Sequence, residues 1–345
     1  MKENLLKISE LTYKYDARSV KGIDSLSFYL QKNECVSIIG PSGSGKSTAL
    51  SVIAGLLKPQ KGTVDFIGEQ VLAYVPQSTE LPKDKTVLEI LKEEITEELD
   101  DEKRENQART TLALLNITNE INSKTQEISG GQKQRLIIAK ALVKNPTIIL
   151  LDEPFGHLDE KLRFDLMNEL FELFKSSGIS VLWVTHETSE ALAFSTRLLV
   201  LNHGKLMQEG TCTDVYERPK NLFTAQFMGR TNTLITKVLD ITDEVISTKL
   251  FSRDITIPKP SNFHLKDHKD LILLIKPEII KIEEDGRFKG KVQKQIYQGA
   301  HFLTQLEVAG EQKLWLYTDK KTKYPFGKKV NFSIDLSMIH ALDEL

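Results

Sequence analysis

The segment Gly40-Pro41-Ser42-Gly43-Ser44-Gly45-Lys46-Ser47-Thr48 constrains this chain more than any other. It fits the pattern G-x-x-x-x-G-K-[ST], in the context that gives that pattern meaning. A buried-strand sequence, Cys35-Val36-Ser37-Ile38-Ile39, precedes it, and a helical one, Thr48 to Leu57, follows. Glycines let backbone N–H groups turn inward around phosphate oxygens, and the helix points its positive end at the same anion. Lys46 is then placed to reach the β- and γ-phosphates of a bound nucleotide, and the Ser47 hydroxyl to ligate Mg²⁺.

A chain of 345 residues exceeds one ordinary domain, so one large and one small unit are expected. The 46 basic and 48 acidic side chains leave a net charge of -2. No global field therefore draws the chain to nucleic acid or anionic lipid, and a phosphate must be held locally. Apolar runs such as Ile148 to Leu151 and Leu271 to Ile275 fall far short of the roughly 20 residues that cross a bilayer. Any membrane work would need another chain to do the spanning. Met1-Lys2-Glu3-Asn4 leads into strand-like sequence without an apolar signal, and the two cysteines, Cys35 and Cys212, have no metal spacing. The expected location is cytoplasmic.

After the glycine-rich loop, residues 62 to 75 read as strands. Val87 to Glu98 and Asp101 to Leu115 read as amphipathic helices, making a helical insert at about 86–135. A helix to Val143, a strand at 147 to 151, a helix from Glu160 to Lys175 and strands at Ser180 to Val184 and Arg197 to Leu201 give β/α alternation of the parallel-sheet kind. Around 219 to 234 the pattern changes, and from Leu234 onward the sequence reads as short β runs, among them Gly290 to Gln298 and Leu314 to Thr318. The expected domains are thus 1–230, α/β, and 231–345, all-β.

Two further places carry chemistry. The strand Ile148 to Leu151 ends in Asp152-Glu153-Pro154, two carboxylates at one strand tip. Asp152 is expected to face Mg²⁺, and Glu153 to take a proton from attacking water as a general base. His186 follows the strand Ser180 to Val184, at the end where open α/β sheets put their ligands.

Ile128-Ser129-Gly130-Gly131-Gln132, followed by a helix, is a second anion-binding helix start, with Ser129 as its N-cap. This segment resembles the signature motif of ABC ATPases, with Ile128 where leucine is usual, and residues 129 to 153 resemble that family almost throughout. The resemblance implies a P-loop NTPase with a RecA-like core, an antiparallel β subdomain and the helical insert. It further implies a homodimer in which Ser129, Gly130, Gly131 and Gln132 of one protomer close on the P-loop ATP of the other. Gln77, in Val75-Pro76-Gln77, is implied to touch Mg²⁺ and the attacking water, and Asp159 to lie in the loop that meets the opposite protomer. His186 is implied to contact the γ-phosphate. Tyr15, rather than its neighbour Tyr13, better matches the adenine-stacking aromatic, although the choice between them stays open. Gly62 to Gln77 is shorter than usual, and His157 stands where a small residue is common.

The C-terminal part resembles the OB-like TOBE domain of importer ATPases at Ile275-Lys276-Pro277-Glu278 and Gly290-Lys291-Val292, with Lys276 where arginine is more usual. The resemblance implies an importer subunit working with integral-membrane permeases and a solute-binding protein, peripheral on the inner face of the cell membrane. Its cargo would be ferric iron, a polyamine or a small anion. Lys313, Trp315, Tyr317, Lys320, Lys321 and Lys323 could suggest a nucleic-acid surface. A solvated strand and turn fits the neutral overall charge better, so no nucleic-acid partner is expected. The competing class is a soluble ABC ATPase acting on nucleic acid or ribosomes. Long coiled coils between the motifs, or two ATPase domains per chain, would mark that class, and the sequence has neither.

Overall fold

The computed structural model describes residues 3–16, 21–96, 99–156, 158–261, 263 and 270–343, so His157 lies outside the described residues. It forms two compact units, Met1–Cys212 and Thr213–Leu345. The division falls ahead of residue 230 because Leu222 and Ala225 pack against Ile272, Leu274 and Leu342 of the C-terminal unit.

The first unit runs β1 Asn4–Lys14, β2 Gly22–Gln31, β3 Cys35–Ile39, α1 Lys46–Ile53, β4 Lys61–Phe66, β5 Leu72–Val75, α2 Val87–Glu94, α3 Asp101–Leu114 and α4 Gly130–Leu142. It continues with β6 Ile148–Asp152, α5 Glu160–Ser176, β7 Ser180–Val184, α6 Thr188–Phe194, β8 Arg197–Asn202 and β9 Lys205–Thr211. A six-stranded sheet has the order β5-β6-β7-β3-β8-β9 and is parallel except for β9. Every residue of β6 and β7 is buried, which explains their unbroken apolar sequence. Because β5, β6, β7 and β3 run parallel, their C-terminal ends emerge on one edge. That edge carries Gln77, Asp152 with Glu153, His186 and the glycine-rich loop.

Beside this sheet stands an antiparallel one, β2-β1-β4. The helices α2, α3 and α4 join through Val87, Ile90, Leu91, Ala108, Leu112 and Leu136, all within one buried cluster. Burying each of the valine, isoleucine and leucine side chains contributes about 1.5–3 kcal/mol. Helix α1 stops at Ile53, short of the expected Leu57, because Gly55 takes a left-handed turn at φ 76°.

The second unit comprises α7 Cys212–Glu217, which begins one residue before it, α8 Leu222–Phe227, and the strands β10 Asn232–Ile241, β11 Val245–Leu250, β12 Arg253–Pro258 and β13 Asp270–Ile275. After them come β14 Ile280–Ile282, β15 Phe288–Tyr297, β16 His301–Glu307, β17 Lys313–Asp319, β18 Lys329–Ile334 and β19 His340–Leu342. Two five-stranded antiparallel sheets, β12-β11-β10-β13-β19 and β14-β18-β15-β16-β17, share one apolar core around Ile246, Leu273, Leu306 and Phe332.

Lys276 is buried in this unit, and its Nζ finds no hydrogen-bond partner among the described residues. It lies 4.3 Å above the Tyr216 ring, and burial pushes its pKa down. The cation–π contact, worth up to about 2 kcal/mol when desolvated, offsets only part of the cost of an unbonded buried ammonium. Lys276→Met is expected to raise stability by about 1 kcal/mol at neutral pH, read from urea midpoints. The lysine's penalty is complete below its lowered folded pKa and is relieved as pH rises through that value toward the ~10.4 of the unfolded chain. The gap between variant and wild type should therefore narrow in alkali.

Candidate functional site

Side-chain caps close the first turns of α2, α3, α4 and α5, at Thr86, Asp100, Ser129 and Asp159. Helix α1 is different. It starts at Gly45, left-handed at φ 103°, with no side-chain cap, so its first backbone N–H groups stay free for an anion. A Cβ on Gly45 would sit 2.3 Å from the Gly22 carbonyl oxygen, so this position requires glycine for both its angle and its space.

Around this helix start, Tyr15, Ser42, Gly43, Gly45, Lys46, Ser47, Thr48, Gln77, Glu153 and His186 line one cleft of about 480 Å³. The Lys46 ammonium is buried and donates to the carbonyl oxygens of Gly40 and Pro41 at 2.9 and 3.0 Å. Burial pushes its pKa down, against the pull of Glu153 and Asp152. Ser44 is buried within the loop, its carbonyl accepting the Gly204 N–H at 2.9 Å.

The Ser47 hydroxyl donates to Asp152 Oδ1 at 2.8 Å. Burial pushes the Asp152 carboxyl up, helped by the charge of Glu153 and opposed by the Ser47 bond. A hydroxyl and a carboxylate side by side form an oxygen-only donor pair, which suits a hard divalent cation such as Mg²⁺. Among the described residues no cluster of three or more His, Cys, Asp or Glu side chains could hold a metal on its own, so further ligands would be neutral side-chain oxygens, substrate and water.

Glu153 is the hub of the cleft's reactive edge. Its Oε2 accepts the Gln77 amide at 3.1 Å and lies 3.3 Å from His186 Nδ1. Three strand tips, after β5, β6 and β7, thus converge on one carboxylate oxygen. The Glu153 backbone is left-handed at φ 45°, a conformation that costs a non-glycine residue about 1–2 kcal/mol. Its N–H is anchored to the Val184 carbonyl at 3.1 Å.

Tyr15 stands on the cleft wall, 59% exposed, with its hydroxyl 3.3 Å from Thr48 Oγ1. Tyr13 meets it edge-on at 5.1 Å and packs on the core behind. Ser129, Gly130, Gly131, Gln132 and Asp159 do not line the cleft. Ser129 and Gln132 form a reciprocal cap, with the Gln132 N–H bonded to Ser129 Oγ at 3.3 Å and the Ser129 N–H to Gln132 Oε1 at 2.8 Å. Asp159 Oδ1 accepts the Leu162 N–H at 3.1 Å at the start of α5.

Three residues escaped the sequence reading. Lys21 and Gly22 line the cleft, and the Tyr74 hydroxyl approaches Asp152 Oδ2 at 3.5 Å. Only Gly22, a glycine opening a strand, left a trace in the sequence.

Comparison with known proteins agrees with this geometry. The family described as ABC transporter matches residues 23–156, and that described as TOBE domain matches residues 273–342. The spermidine/putrescine import ATP-binding protein PotA of Marinobacter nauticus is 36% identical, over 87% of this chain and 83% of its own length. The protein of the same name from Borreliella afzelii is 29% identical over 98% of both chains. Among solved structures, a dimeric ATP-binding cassette in a post-hydrolysis state bound to ADP and Pi is 30% identical. It superposes with a TM-score of 0.54, covering 60% of this chain and 99% of that one. The chain therefore belongs to the ABC transporter ATP-binding proteins, as an importer-type ATPase subunit with a C-terminal TOBE domain.

Proposed function

We propose that this subunit drives uptake of a polyamine of the spermidine/putrescine class, by hydrolysing ATP between two copies of itself docked on a membrane permease. The observation that carries the hydrolytic part is the convergence of Gln77 and His186 on Glu153 Oε2, beside the Ser47–Asp152 pair. The relatives' names support the cargo.

In this reading Tyr15 stacks on adenine, and the loop amides from Gly40 to Thr48 hold the phosphates. Lys46 exchanges its bonds to the Gly40 and Pro41 carbonyls for phosphate oxygens. Ser47 and Asp152, with Gln77, hold Mg²⁺. When bound, that ion supplies positive charge against the phosphates. Glu153 accepts the proton of the water that attacks the γ-phosphorus as the bond to the β-phosphate oxygen breaks. Gln77 orients that carboxylate, and His186 reaches from it to the γ-phosphate. Ser129 and the α4 start from a second copy complete the anion shell, with Asp159 in the loop between copies. Among the described residues no helix is long and apolar enough to cross a membrane, so a separate permease fits, with a solute-binding protein outside and this subunit on the cytoplasmic face.

The test is labelled-solute uptake in cells with and without the chain, together with affinity purification from detergent-solubilised membranes. The expected result is loss of spermidine uptake and recovery of a membrane permease. Loss of ferric iron or sulfate uptake alone would overturn the cargo and leave the transporter reading standing. Recovery only of ribosomes or nucleic acid would overturn the transporter reading itself.

A further inference from the structure

Behind the His186 turn, Arg163 on α5 and Glu190 on α6 form a nearly buried ion pair. Nε lies 3.0 Å from Oε1, and the side chains are 19% and 13% exposed. The other carboxylate oxygen of Glu190 accepts the Thr185 hydroxyl at 2.9 Å. That hydroxyl oxygen in turn accepts the Glu187 backbone N–H at 3.1 Å. These bonds grip the chain on both sides of His186.

The grip has work to do because His186 is poorly held by packing. Its side chain is half exposed, so its approach to Glu153 depends on the backbone of residues 185 to 187. That backbone leads into α6, which spans seven residues and starts without a side-chain cap. So short a helix is marginal unless tertiary contacts fix it. Arg163 belongs to the first turn of α5, its N–H bonded to the Asp159 carbonyl at 2.9 Å. One helix thus carries both Asp159 and the guanidinium that fixes the histidine turn.

We infer that Arg163 and Glu190, acting through Thr185, are positioning residues that hold His186 in reach of Glu153 and tie its placement to the start of α5. The inference rests on the hydrolytic reading of Glu153 and His186. Arg163 and Glu190 act through the histidine and not on the nucleotide.

The experiment is steady-state ATP turnover of the full chain for Arg163→Met and Thr185→Val, each alone and combined with His186→Ala. Thr185→Val is nearly isosteric and leaves the ion pair intact, so it carries the test if Arg163→Met fails to fold. Each single substitution is expected to lower kcat about tenfold, as displacement of a reacting group does, with the KM for ATP changed by less than about twofold. Thr185→Ser should restore the rate. In the His186→Ala background the same substitutions should lower kcat by less than about twofold, since their effect runs through a ring already removed.

Losses that multiply with that of His186→Ala would overturn the inference, as would full turnover in Thr185→Val. Wild-type turnover in His186→Ala would overturn the hydrolytic role of His186 instead. An impaired His186→Ala beside unimpaired Arg163→Met and Thr185→Val would overturn the positioning role alone.

Discussion

Glu153→Gln is expected to bind ATP about as tightly as the wild type while its turnover falls by about 10²–10⁴-fold. The amide fills the same space and keeps an acceptor oxygen for Gln77 and His186, which meet the carboxylate at 3.1 and 3.3 Å. It loses the negative charge that acts on Lys46 and Asp152, and with it the capacity to take a proton. Since nucleotide bound between two copies would then persist, ATP should convert the variant to a dimer on size-exclusion chromatography, whereas the wild type, turning its nucleotide over, should elute mainly as the monomer. Turnover at the wild-type rate would remove Glu153 from the general-base role.

The second large effect is expected at Lys46. Lys46→Met should weaken ATP binding about 10–100-fold, since one charge-assisted hydrogen bond contributes about 1.5–3 kcal/mol. Nucleotide-free stability should move by no more than about 1 kcal/mol. The variant loses two bonds to the Gly40 and Pro41 carbonyls, but it also sheds an ammonium whose charge burial already disfavours. Isothermal titration and denaturant unfolding of the same preparation separate these terms. An unchanged ATP affinity would show that Lys46 serves the loop and not the phosphate.

The legible parts of the molecule were those written in contiguous residues. Gly40 to Thr48 carries its own context, a strand before and a helix after, and Asp152-Glu153 and His186 each follow a short apolar run whose burial sets its direction. Parallel pairing then brought their tips together, a consequence of β/α alternation that sequence pattern can express. Helix ends were less legible. Helix α1 stops at Ile53 because of the backbone angle at Gly55, which competed with an apolar pattern running on to Leu57. Tyr74, Lys21 and the Arg163–Glu190 pair could not be read at all. Each depends on which face of one element meets another distant in sequence, and no local periodicity encodes that.

The left-handed backbone at Glu153 bears on how this site can change over generations. Glycine would fit that angle without steric strain, so selection for folding alone favours it at position 153, and on the proposed general-base role it is selection for turnover that keeps a carboxylate there. In a population relieved of the need to hydrolyse ATP, residue 153 should be among the first of the cleft to drift, while Gly45, confined by both angle and space, should be among the last. Decayed copies of such a chain would therefore keep the shape of the nucleotide cleft after losing its chemistry.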